Sequence, residues 1–377
     1  MEKKEKKIEM GGQAVIEGVM MRSPMGYTIA VRKKDKTIKI KSIPYVSITK
    51  KYKIFGLPFI RGVFMLFEML VLGLKGLDYS ANEWEEEEDS SKEENPSNPG
   101  KESEETENPE KKNEEQKDAP GEEKRQISVA AMAGLMAFSI GLALVMMVVL
   151  PNVLTHIVGV IIDFFSGAER ESVGLVESKS PIIYNLVAGF FRACFLLAYI
   201  WVISFSKDIR RVFEYHGAEH KAVFAFEDKK DLTLDNVRPY TTRHPRCGTT
   251  FLGVVIIVSI IVFAFLVKAV AMFFPAFLEM NLVLRKLIII GLHIVFMPLV
   301  AGISYEIIKY SSRHLDNPIL RLLTVPGLLS QHLTTKEPDD EQLEVSIASL
   351  KAALNIGKDQ ERPETTILYP GEALENN

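Results

Sequence analysis

The sequence predicts a mainly α, polytopic helical membrane protein with four transmembrane helices, one interfacial or re-entrant helix and a small N-terminal β region. Four apolar runs carry most of that expectation, at about 128–150, 182–205, 250–273 and 286–308. Each is long enough to cross roughly 30 Å of hydrocarbon. A fifth apolar stretch, 56–79, is interrupted by Arg61 and Glu68, and a period-two pattern precedes it.

In chain order, residues 1–54 form a basic, β-rich region. The run YTIAVRKKDKTIKIKSIPYVSIT alternates β-branched and basic residues around a Lys-Asp-Lys turn, which favours a small hairpin or sheet. The opening MEKKEKKIEM lacks the apolar core of a secretory signal, so no cleavage is expected. Residues 55–80 read as the interfacial or re-entrant helix. Residues 81–125 carry almost no apolar content and are expected to be a disordered, solvated spacer. The membrane domain occupies 126–310 with a connector at 206–249, and 311–377 reads as a tail containing a short amphipathic helix at 334–355. The stretch NVLTHIVGVIIDFF near 151–166 is too short to span by itself and is expected along the outer face.

The formal net charge of −4 hides an uneven distribution. From Ala81 to Glu123 there are eighteen acidic residues against five lysines, so the rest of the chain sums to +9. The connector 206–249 holds nine Lys or Arg against two in 151–181. The positive-inside tendency therefore puts 206–249 in the cytoplasm, and four spans put both termini there too. A fifth full span at 56–79 would move the N-terminal region, with fourteen Lys or Arg before residue 54, to the outside. The two cysteines, Cys194 and Cys247, make no disulfide framework.

The chemistry-bearing stretch is YHGAEHKAVFAFE, residues 215–227. If the second span's helix runs on past Phe205, His216 and His220 lie one turn apart on one face and can reach a single ion. His216-x-x-Glu219-His220 is the reversed zincin order, with the histidines as ligands and Glu219 as general base. Further ligands must come from elsewhere: His244 and Cys247 in TTRHPRCGTTF, and Glu306 near the end of the fourth span. Glu227 continues the stripe about 10 Å further along the axis, which suits a supporting role. Two rival readings stand beside this one. His216, His220, His244 and Cys247 form a complete tetrahedral set for a structural zinc. Alternatively, Cys247 is a nucleophile with His244 as its base, although no third orienting group is evident.

Within the spans, Arg192 invites a structural ion pair, with Glu68 its most available partner, and His293 a hydrogen bond to a neighbouring helix. His156, His314 and His332 read as loop or surface residues. Between the glycines of GGQAVIEG, Gln13, Glu17 and, a little later, Arg22 offer polar side chains. This segment either closes over the metal site, with Glu17 as an extra ligand, or is a glycine-cornered strand.

The runs GGQAVIEGVMMRSP (11–24), HGAEHK (216–221), HPRCGT (244–249) and SYE (304–306) resemble the bacterial YqhQ family, a membrane family of unassigned function described as metal-dependent enzymes. The likeness extends from about Gly11 to near Leu354, broken by the acidic insert. It implies a multi-span protein of the bacterial inner membrane with a metal site.

The leading expectation is a membrane-embedded, metal-dependent hydrolase with its site at the cytoplasmic face and a divalent metal, zinc foremost, as cofactor. The alternative is a non-enzymatic assembly, biogenesis or transport-associated factor with a structural metal. Expected partners are the lipid bilayer and other membrane proteins. Nucleic acid is indicated by nothing beyond the basic N-terminal region, which suits anionic lipid equally well.

Overall fold

The computed structural model describes residues 10–93, 129–166, 181–311, 314, 317–356 and 364–374. Strands β1 (Gly11–Val15), β2 (Gly18–Ser23), β3 (Gly26–Arg32) and β4 (Ile38–Pro44) form an antiparallel meander. A fifth strand, β5 (Thr365–Leu368), pairs with β4 from the far end of the chain and closes the order β1-β2-β3-β4-β5.

The longer helices follow as α1 (Ile60–Glu93), α2 (Val129–Leu144), α3 (Leu150–Ser166), α4 (Pro181–Ile203), α5 (Lys207–Glu227), α6 (Gly248–Phe273), α7 (Leu282–Ser311), α8 (Pro318–Thr334) and α9 (Asp340–Asn355). Four helices are long and apolar enough to cross a membrane: Ala137–Ile162, Ile182–Ile203, Gly248–Phe273 and Val283–Ser311. The first differs from expectation. The stretch around 151–166 is not a separate outer segment but the second half of that span. Pro151 has no N–H to give and crowds the turn before it, and the wide turn at Val145–Val149 accommodates it inside a continuous helix.

Strand alternation decides what covers the sheet. Val19, Met21, Ala30, Ile38 and Ile40 face α5 and α9, joining Tyr215, Ala218, Ala222, Leu343, Ile347 and Leu350 in one core. Val15, Met20, Tyr27, Ile29 and Val31 face the other way, against Leu72 of α1. The central strand β3 is buried along its whole length, as a strand covered on both sides must be. The structural unit is therefore a three-layer α/β/α body, into which α9 and β5 of the expected C-terminal tail are built. α9 opens with an Asp339–Gln342 capping box and inserts Ser349, whose Oγ donates 3.0 Å to the Val19 carbonyl.

The acidic segment also departs from expectation. α1 continues to Glu93, and Glu83 is buried against the sheet, paired with Lys39 at 2.7 Å and Lys33 at 3.4 Å. Lys33, just past β3, and Lys39 of β4 supply partners that an argument from apolar content alone does not count. Residues 94–125 of the expected spacer lie outside the described residues. Glu68 likewise serves this layer: it pairs with Arg22 and accepts from Ser47 at 2.8 Å, so it is not the partner of Arg192. His293 bonds its own helix, at the Ile289 carbonyl, and stacks on Phe263.

The layers fix the topology. β1–β4, α5 and α9 belong to one body. Two candidate spans separate β4 from α5, and two more separate α5 from α9. With all four candidates crossing, each segment would return to the same side of a membrane.

Candidate metal centre

α4 ends at Ile203, and α5 starts afresh behind Ser206, so the histidine helix belongs to the α/β body and is not an extension of the span. On α5 the rings of His216 and His220 stand 4.5 Å apart between centroids. Cys247 caps the N-terminus of α6, its Sγ 3.4 Å from the Thr249 N–H. The Nε2 atom of His216 is 3.1 Å from that sulfur. Ligand atoms of His216, His220 and Cys247 lie within 4.8 Å of one another. Donors around a tetrahedral zinc sit ~3.3–3.6 Å apart.

The imidazoles are aimed by main chain. His216 Nδ1 bonds the Thr334 carbonyl at 2.9 Å, and His220 Nδ1 bonds the Thr242 carbonyl at 2.5 Å. An Nδ1–H given to a carbonyl leaves the lone pair on Nε2, the form in which histidine binds metals. The Nε2 of His220 is buried and has no hydrogen-bond partner among the described residues. An orphaned acceptor of that kind, beside a sulfur ligand, fits an ion better than it fits a closed protein core.

Charge follows the geometry. Burial pushes the Cys247 thiol up, but the neighbouring His216 outweighs burial and holds it well below the usual thiol range. Burial equally disfavours charge on His216, yet Cys247 and then Glu219 raise it to about 9. Without an ion, His216 and Cys247 each favour the charged form of the other.

Glu219 is buried, with a carboxylate oxygen 3.4 Å from His220 Nε2. Gly12 of β1 makes room for it, since a Cβ there would stand 2.8 Å from the Glu219 Cγ. This is how the N-terminal glycine motif reaches the site. The polar residues of that motif go elsewhere. Glu17 pairs with Arg211 and meets the Tyr215 hydroxyl at 3.3 Å. The Gln13 amide packs under Gly73 of α1, and Arg22 pairs with Glu68.

His244 is near but separate. Its ring centroid is 5.6 Å from that of His220, and its Nε2 faces Glu227 at 3.7 Å. Burial pushes it down to about 4, leaving it neutral. Glu227 thus supports His244 and Arg246. Glu306 is not brought to the cluster; Arg61 holds it in a two-pronged ion pair, at 2.7 and 2.5 Å.

Several residues that position the site carry no chemical motif. Gly217 lets the 334–336 segment lie on α5, because a Cβ there would stand 2.1 Å from the Lys336 carbonyl oxygen. Gln331, fully buried, accepts from the His244 N–H at 2.8 Å and donates to the His244 carbonyl at 2.8 Å and Thr250 Oγ1 at 2.7 Å. Lys221 donates to the Arg238 carbonyl at 2.8 Å and pairs with Glu337. It thereby ties together the two segments whose carbonyls aim His216 and His220. Only the glycine between the two histidines was a visible signal.

These features define a polytopic membrane protein whose α/β body holds a two-histidine, one-cysteine cluster against the start of a span. The chain belongs to the family described as "Protein of unknown function (DUF1385)", matched over residues 57–356. It is 30% identical over 348 residues to the "Uncharacterized protein YqhQ" of Bacillus subtilis (strain 168), covering 92% of each chain, which places it in the YqhQ family. No solved structure matches it.

Proposed function

We propose that this protein is a membrane-embedded, metal-dependent hydrolase that holds one divalent ion, zinc by its donors, on His216, His220 and Cys247. The observation that carries this reading is the aim of the two imidazoles. Both Nδ1 atoms are tied to main-chain carbonyls, and both Nε2 atoms are left to converge on one sulfur. Three protein ligands are the complement of a catalytic zinc site, which keeps a fourth position open. A bound ion there would act as a Lewis acid and furnish a nucleophile near neutral pH.

Glu219 is the general base in this reading, because its carboxylate lies beside the donors without belonging to the tight group of three. Cys247 stands one residue before the span that begins at Gly248. The scissile bond is therefore one presented at the membrane surface, in a membrane protein, a peptide or a lipid. The nine Lys or Arg of 206–249 support a cytoplasmic position, in a bacterial inner membrane.

The short His216–Cys247 contact also favours a second reading, a cysteine nucleophile whose base is His216, oriented by the Thr334 carbonyl. It leaves the convergent Nε2 of His220 without a task, and for that reason the metal reading is preferred.

Zinc content of the purified full chain tests the binding. Wild type and Glu219→Gln should each carry about one ion, and His216→Ala should carry none. A full complement in His216→Ala removes that ligand. Catalysis is tested by incubating each protein with bacterial membrane extract and following products by mass spectrometry. Cleavage products made by wild type should be absent with Glu219→Gln. Equal product from both would remove Glu219 as the base. No wild-type product beyond a protein-free control would leave the cluster a structural staple and support the non-enzymatic reading, an assembly or transport-associated factor.

A further inference from the structure

We propose that Lys50–Leu77 is a lipid-docking element, whose apolar stripe enters the leaflet facing the α/β body and whose lysines bind anionic headgroups. The stretch that precedes α1 exposes Lys50, Lys51 and Lys53 among the exposed apolar residues Tyr52, Ile54, Leu57 and Phe59. α1 then carries Phe67, Leu70 and Leu74 along one exposed line, between 58 and 62% accessible. Its opposite face turns Glu68, Leu72 and Gly76 toward the sheet layer. A helix with one face packed and the other apolar but bare needs an apolar partner.

The attachment of α1 identifies that partner as the bilayer. α1 crosses α7 at Gly62 and Gly302, so closely that a Cβ on Gly302 would stand 2.4 Å from the Phe59 carbonyl oxygen. Arg61 fastens the crossing to Glu306. Gly302 lies within the span Val283–Ser311, nine residues before its end. At 1.5 Å per residue, that is roughly 13 Å inside the helix terminus. The beginning of α1 is thus held at the level of the spans, whereas its later turns reach Gln13 of β1 and, through Glu83, Lys39 of β4.

The same side of the membrane carries a second belt. Trp201 and Phe205 are exposed at the end of α4, and Lys207 and Arg210 are exposed immediately beyond them. Aromatic residues followed by cations mark an interface with acidic headgroups. The lysines before α1 and the cations Lys207 and Arg210 opening α5 therefore present positive charge to one leaflet.

The test uses the full chain with Cys194→Ser, reconstituted in nanodiscs of phosphatidylcholine and phosphatidylglycerol. An environment-sensitive label is placed at Leu70→Cys, with Phe67→Cys as a second position on the stripe and Lys36→Cys as a control on the β3–β4 turn. The parent protein serves as blank. Lipids brominated in their acyl chains should quench the label at 70 and at 67 but not at 36. Quenching at 67 and 70 no greater than at 36 overturns the insertion. Disulfide cross-linking of Leu70→Cys between two chains overturns it in favour of a second copy as the occupant. For the headgroups, Lys50→Gln, Lys51→Gln and Lys53→Gln are combined. Native mass spectrometry should show several-fold less retained phosphatidylglycerol and unchanged phosphatidylcholine. Unchanged phosphatidylglycerol overturns the role of the lysines.

Discussion

His216 and Cys247, thirty-one positions apart, place a ring nitrogen 3.1 Å from a thiol sulfur. The two charges support each other: the imidazole is raised to about 9 and the thiol lies well below its ordinary range. The contribution of His216 to stability is full below its unfolded pKa, about 6.5, and is lost as pH rises through about 9. That of Cys247 has the opposite sign, being present above about 8.5 and lost as pH falls through its lowered value. The metal-free pair is therefore charged across neutral pH. Thiolate absorbance in the ultraviolet should be present in chelator-treated Cys194→Ser protein at pH 7 and disappear in His216→Ala. Zinc loading at that pH should release about one proton, the one on His216, as measured calorimetrically in buffers of different ionisation enthalpy.

Gly217 is expected to matter as much as a ligand, although it touches no donor atom. A Cβ at this position would overlap the Lys336 carbonyl oxygen, which is backbone and cannot swing aside. Gly217→Ala should push the 334–336 segment off α5 and take the Thr334 carbonyl from His216 Nδ1. Loss of such an orienting bond costs about 10–100-fold in metal affinity. Competition with a zinc-binding dye measures it, and affinity equal to wild type would show that the Thr334 carbonyl does not aim the ring.

Much of this arrangement was legible because its signals are local. The apolar runs, the alternation in β3 and β4, and the one-turn spacing of His216 and His220 are periodicities that a short window contains. The pairing of Cys247 with His216, in place of His244, depends on where α6 begins relative to α5. No window holds that information. The Arg61–Glu306 and Arg22–Glu68 pairs were missed for the same reason: each joins elements that only the layered fold brings together. The helix at 334–355 is visible as a local pattern, but its place and that of β5 depend on contacts with strands more than three hundred residues earlier.

Lys221 offers a contrast between its two acceptors. Its ammonium group is buried, while Glu337 is largely exposed. Water and the Gln carbonyl can take the place of that exposed carboxylate beside the buried ammonium, so Glu337→Gln should change zinc affinity less than twofold. Lys221→Met removes the tie to the Arg238 carbonyl as well and frees both segments that aim the histidines. A loss of about 10–100-fold in zinc affinity is expected. Equal effects of the two substitutions would mean that the tie to Arg238 is idle.

Gln331 holds three groups at once: the His244 N–H, the His244 carbonyl and the Thr250 hydroxyl. A buried polar group left without a partner costs about 1–3 kcal/mol. Gln331→Leu keeps comparable bulk and strands these groups in one step, so thermal unfolding in detergent should show a clear loss of stability. His244 N–H and carbonyl belong to the loop that leads to Cys247, so zinc affinity should fall along with it. Unchanged thermal stability would mean that water substitutes for the amide.

Glu306 provides the sharpest check on the limits of the site. Both of its carboxylate oxygens are engaged by Arg61, and the Phe59 N–H adds a third contact at 3.3 Å. A carboxylate held in this way neutralises a guanidinium at the α1–α7 crossing and has no oxygen to spare for an ion. Glu306→Gln should therefore leave zinc content and the His216–Cys247 thiolate signal unchanged. It should instead loosen α1, because Arg61 keeps its charge and loses its counter-charge, and breaking a partly buried pair from one side is costly. Proteolysis near residue 60 in the reconstituted protein should become faster. Loss of zinc from Glu306→Gln, with α1 still protected, would return Glu306 to the metal and require the cluster to be redrawn.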